Sequence, residues 1–156
     1  MKITIFKACL VGILAAFSIT TYAADPATGD YSKVVKDYID SHMNANYKNL
    51  NKIMSDDATF KIPRAENVIV QTKSDLVDEM KKEGELKQNC EADYEVIAKS
   101  SALVMVRVDF NYDNCVQQNF LTLEKNADKQ WKITQVCKIF NDKDAEGTAP
   151  KVIAYN

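Results

Sequence analysis

Two periodicities divide the chain. Tyr31, Val34, Val35, Tyr38, Ile39, His42 and Met43 recur at steps of three and four, which places them on one face of an amphipathic helix. After the joint Asn44-Ala45-Asn46, the residues Tyr47, Leu50, Ile53 and Met54 repeat the period and predict a second, shorter helix. Ser55-Asp56-Asp57 ends it, because these side chains compete for backbone hydrogen bonds. Ala58 to Ile62 alternates as a strand stopped by Pro63, and Val68 to Gln71 can return beside it. Thr72 with Asp75 fits a capping box that opens a third helix, which buries Leu76, Val77 and Met80 and has Gly84 after its end. From Asn89 onward the period is two. Cys90 to Ile97, Ala102 to Phe110, Cys115 to Lys125 and Trp131 to Phe140 read as four strands joined by short turns, an antiparallel meander.

Helices gathered on one side of such a sheet give an α+β fold. Before this domain, Met1 to Ala23 has two lysines, the apolar run Ala8 to Phe17 and the small-residue close Thr21-Tyr22-Ala23, the order of a secretory signal peptide. The run falls short of the roughly 18 apolar residues a spanning helix needs. The expected organisation is therefore a signal peptide over 1–23, a polar lead-in over 24–30, one domain over 31–140 and a polar tail over 141–156, in which Val152, Ile153 and Tyr155 could dock. Export to the periplasm or the medium of a bacterium follows, with no membrane association after cleavage.

Composition then removes chemistry. A formal net charge of −2 with no basic stripe argues against a nucleic-acid partner. Four scattered glycines supply no phosphate-cradling loop. With one histidine, any triad or catalytic zinc site runs through His42 or not at all. Three cysteines follow the leader, Cys90, Cys115 and Cys137. An intact fourth strand of the sheet keeps Cys90 and Cys115 about 9 to 10 Å apart, beyond the Cα limit for a disulfide. Three thiols converging at one end of a face could hold a soft metal, but no C-x-x-C pair strengthens that, and thiols packed as small hydrophobes are the simpler expectation. No metal and no cofactor is expected.

Tyr38-Ile39 to Pro63 (YIDSHMNANYKNLNKIMSDDATFKIP) and Gln130-Trp131-Lys132-Ile133-Thr134 resemble the nuclear transport factor 2-like superfamily, and within it the secreted bacterial SnoaL-like or lumazine-binding type. The resemblance implies a cystatin-like, cone-shaped curved antiparallel sheet around a pocket, with three helices in the N-terminal half. Steroid isomerases of the superfamily carry their proton-abstracting carboxylate before a proline; here Ile62 precedes Pro63 and cannot accept a proton. Their oxyanion tyrosine matches Tyr38, while the partner aspartate falls near Gln117 or Asn119. Related dehydratases and cyclases imply a histidine–aspartate pair, for which His42 lies one turn past Tyr38 on the same face.

Strand register sharpens the pocket. Centring the hairpins by eye pairs Tyr94 with Val106, Gln117 with Val108 and Asn119 with both Val106 and Gln135. One face then carries an apolar wall interrupted by Tyr94, Gln117, Asn119 and Gln135, with Asp93 and Asp109 on the other. Neutral donors and acceptors in an apolar wall suit a small-ligand site. The expectation is a ligand-binding or protein-interaction domain without catalysis. It would hold a small apolar or aromatic ligand through Tyr38, Tyr94, Gln117, Asn119 and Gln135, and form a homodimer. The alternatives are a dehydratase, cyclase or isomerase working through Tyr38 and His42, and a dimeric structural domain without ligand.

Overall fold

A computed structural model describes residues 30–84 and 86–143; the expected leader, most of the lead-in and the tail from 144 lie outside the described residues. Three helices and six strands follow in the order α1 (Tyr31–Met43), α2 (Tyr47–Ile53), β1 (Met54–Arg64), β2 (Asn67–Thr72), α3 (Lys73–Glu83), β3 (Glu91–Lys99), β4 (Leu103–Asn111), β5 (Cys115–Lys125) and β6 (Trp131–Asp142). Asp30 caps α1 by accepting from the Ser32 amide at 2.9 Å. Thr72 and Asp75 form the full capping box of α3, and Gly84 closes it at φ 77°, a conformation that costs glycine little.

The strands form one curved sheet in the order β2-β1-β6-β5-β4-β3. The meander β3–β6 is antiparallel as expected, but the β1–β6 pair is parallel, so the sheet is mixed. No hairpin ties these two strands; α3 and the rest of the meander lie between them in sequence, and that long connection permits either sense. β1 also runs past Pro63. Proline is tolerated there because β6 pairs with β1 only as far as Lys61, and Pro63 faces β2 alone.

Register departs from the expected hairpin pairing in a patterned way. Tyr94 pairs with Val108 and Ala92 with Phe110, after a bulge at Ile97. Gln117 pairs with Phe110 and Asn119 with Val108. These are slips of two residues, which leave each side chain on its expected face. In β6, Ile133 pairs with Leu123, but Gln135 pairs with Thr122 and Lys138 with Asn119. Thr134 is the extra residue of a bulge, and the face of β6 switches there.

Val104, Val106, Val108, Phe110, Leu121, Leu123, Ile133 and Val136 line the inner face and are buried, with Val35 and Tyr38 of α1 packed over them. Truncating Leu121, which is 1% exposed, to alanine should cost about 2–5 kcal/mol of unfolding free energy. By contrast, Gln135→Ala on the outer face should stay within about 0.5 kcal/mol of the parent. Urea unfolding of the two variants checks both values.

Candidate functional site

The helices and the inner face of the sheet frame a partly open cavity of about 360 Å³. Tyr38 and His42 reach it from α1, Phe60 and Ile62 from β1, Ile69 and Gln71 from β2, Leu76, Met80, Glu79 and Glu83 from α3, and Lys138 from β6; Gln88 and Leu86 come from the loop after α3. The wall is apolar and polar in about equal measure, with Leu50, Phe60, Ile62, Ile69, Leu76 and Met80 standing against Arg64, Gln71, Glu79, Glu83, Gln88 and Lys138, and a concave site of this size suits a small ligand. A wider trough of about 600 Å³ lies between α2 and α3. Its polar lining is surface lysines with Asn51, Asp56, Ser74 and Asp78, and Lys73 is already paired to Asp56 at 2.9 Å and Lys81 to Asp78 at 3.0 Å, so the less open cavity against Tyr38 and His42 is the candidate site.

Of the residues expected to contact a ligand, the structure joins three. Gln117 Nε2 donates to Asn119 Oδ1 at 3.0 Å, and Asn119 Nδ2 donates to the Tyr38 hydroxyl at 2.8 Å. Asn119, fully buried, is therefore the strand residue that meets Tyr38, and Gln117 stands one step behind it. Tyr38 alone of these three lines the cavity. Burial, only partly offset by the Asn119 hydrogen bond, lifts the Tyr38 hydroxyl well above the usual tyrosine range, so it stays protonated.

Tyr94 is half-buried against the core and is not among the residues lining the cavity. Gln135 needs a correction: the bulge at Thr134 turns it to the outer face beside Thr122. The inner position that it was expected to hold opposite Asn119 belongs to Lys138. The cysteines need one too. Ala92 and Gln117, not Cys90 and Cys115, flank Phe110, and Cys137 pairs with Phe120 on the outer face. The three thiols are free and do not share one face.

His42 packs its ring 4.0 Å from that of Phe110. The Tyr112 hydroxyl donates to Gln88 Oε1 at 3.0 Å, so at 3.1 Å it accepts from a proton on His42 Nε2. Burial, aided by the Lys138 charge, pushes the pKa of His42 from 6.5 down to about 4. Asp109 instead pairs with Arg107 at 3.1 Å on the outer face, and Asp93 lies on that face opposite it. Neither aspartate is placed to partner the imidazole. Ile62 does line the cavity, at the position where the isomerase resemblance implies a base.

Four contributors escaped the sequence reading: Lys138, Tyr112, Gln88 and the wall formed by β2 and α3. A signal for Lys138 was present. Apolar residues fall at 131 and 133 and then at 136, a break in period two that marks a bulge. Tyr112 sits in a turn and Gln88 in a loop, where periodicity carries no information.

The family described as "Putative lumazine-binding" matches residues 28–141. The chain belongs to that family. No curated protein matches it. Solved structures with the same fold include an NTF-2 like protein of unknown function from Silicibacter pomeroyi (TM-score 0.60, 12% identity, 71% of this chain and 92% of that one). A ketosteroid isomerase-like protein from Erwinia carotovora gives TM-score 0.54 at 16% identity over 69% and 90% of the two chains. A cystatin-like fold protein from Burkholderia xenovorans gives TM-score 0.58 at 9% identity over 71% and 88%. At such identities these structures share the fold alone, and function rests on the site.

The neutral, buried His42 makes stability depend on acid. The unfolded chain protonates this imidazole near pH 6.5, the folded chain only near 4. The unfolded state therefore binds the proton first, and stability fully present above 6.5 is lost as pH falls toward 4. The lowered carboxyls of Asp30, Asp56 and Asp75 start from 3.8 and act below that window. Melting temperature measured from pH 7 to 4 should fall in the parent and flatten in His42→Gln; an equal slope in both proteins would assign the loss to other groups.

Proposed function

We propose that this chain is a small-ligand-binding domain that holds an apolar or aromatic compound between the helices and the sheet, without turnover. The observation that carries it is the partly open cavity set against Tyr38 and His42. Phe60, Ile62, Ile69, Leu76 and Met80 give it an apolar side, and Tyr38 and His42 are already hydrogen-bonded within the fold. Two features support binding over catalysis. Ile62 offers no proton acceptor, and the Tyr38 hydroxyl and His42 imidazole are held in their neutral forms by burial, with no carboxylate bonded to either ring among the described residues.

Export belongs to the same proposal and rests on the apolar Ala8–Phe17 run with its flanking lysines and Thr21-Tyr22-Ala23. So does a homodimer, supported by the half-buried Phe120 and Ile139 on the sheet's outer face.

Native mass spectrometry of the purified chain against a metabolite panel tests the proposal. A bound small molecule is expected in the parent and its loss in Ile69→Trp, since Ile69 lines the cavity on an edge strand and is 45% exposed, so that a larger ring fills space without disturbing the core. An empty species across the whole panel would overturn it.

A further inference from the structure

We propose that Lys138 receives the anionic head of the ligand, so that the cavity selects small organic monoanions, carboxylates carried on an apolar body. This inference rests on the ligand-binding reading and names the ligand class.

The bulge at Thr134 delivers Lys138 to the inner face, opposite Asn119. Its Nζ lies 5.5 Å from the centroid of the Phe60 ring, at the wall of the cavity. Among the described residues it has no hydrogen-bond or ion-pair partner. Lys138 is half-buried, and an ammonium drawn that far from water ordinarily has a counterion. The ring face of Phe60 recovers only part of the lost hydration.

The charged groups facing it do not close the gap. Glu79 and Glu83 of α3 are exposed and make no ion pair with it; their charges favour the ammonium, against the larger effect of burial. The Glu79 carboxylate accepts from Gln71 Nε2 at 3.1 Å. Arg64, at the end of β1, adds a second cation to the cavity lining. His42 is neutral and committed to Tyr112, and Tyr38 to Asn119. Tyr38, His42, Gln71, Glu79 and Gln88 thus each have a hydrogen-bond partner, while Lys138, like Arg64 and Glu83 at the rim, has none among the described residues.

A ligand carboxylate at Nζ would complete the set with a charge-assisted hydrogen bond, while its apolar body lies along Phe60, Leu76 and Met80. A phosphate fits less well, because it seeks several donors, commonly clustered backbone amides, and here there is no glycine-rich loop. A neutral ligand of the same shape would leave the ammonium uncompensated.

Calorimetric titration of the full chain with straight-chain carboxylates from acetate to decanoate, and with the matching primary amides, tests this. The parent should bind the best carboxylate at least about tenfold more tightly than its amide. Lys138→Met should erase that preference with amide binding retained, and Lys138→Arg should keep part of it. Equal binding of acid and amide by the parent, or a preference that survives in Lys138→Met, would overturn the anion assignment and leave ligand binding standing. Binding of neither series by the parent would overturn both. The acid–amide comparison in the parent needs no variant, so a misfolded substitution does not block the test.

Discussion

A single extra residue in β6 sets the chemistry of the interior. Without the bulge at Thr134, strict alternation after Ile133 would carry Gln135 and Cys137 to the inner face and leave Val136 and Lys138 outside. With it, Val136 is fully buried beside Leu121 and Lys138 faces Asn119. A face switch by one residue exchanges a whole set of side chains, and here it puts Val136 and Lys138 inside in place of Gln135 and Cys137. The polarity of the cavity follows from that exchange, and the Lys138 charge adds to the burial that lowers the pKa of His42.

The buried polar chain is the counterpart of the bulge. Gln117, Asn119 and Tyr38 satisfy one another in a part of the core where valines and phenylalanines supply the rest of the wall. Buried amides cost stability unless bonded, and among the described residues no fully buried side-chain nitrogen or oxygen lacks a partner. The chain also fixes α1 against β5, since Tyr38 and Asn119 lie 81 residues apart. The helix is thereby held at a set height above the sheet, and the cavity opens beside it toward α3 and β2.

Much of the fold was legible in the residues. The helical face of α1, the capping box of α3 and the four long strands each rest on local periodicity or local hydrogen bonding, and each stands within a few residues of its expected bounds. Register was not legible to the same degree, because it depends on turn geometry and bulges. Two-residue slips in the first hairpins were harmless, so Gln117 and Asn119 kept their face. One bulge in the last hairpin removed Gln135 from it. The parallel β1–β6 pair was hidden for a related reason: nothing local reports which distant strand will close a sheet edge. The pocket wall from α3 and β2 is likewise a product of long-range packing.

The central claim is that the Lys138 charge stands inside the cavity, close enough to add to the burial that holds His42 neutral. Because the chain has one histidine, proton NMR of its imidazole reports the site without ambiguity. The account predicts a midpoint of about 4 in the parent, against 6.5 for a free imidazole, and a clear upward shift in Lys138→Gln as that repulsion disappears. An unchanged midpoint in the variant, or a parent histidine that titrates near 6.5, would contradict it.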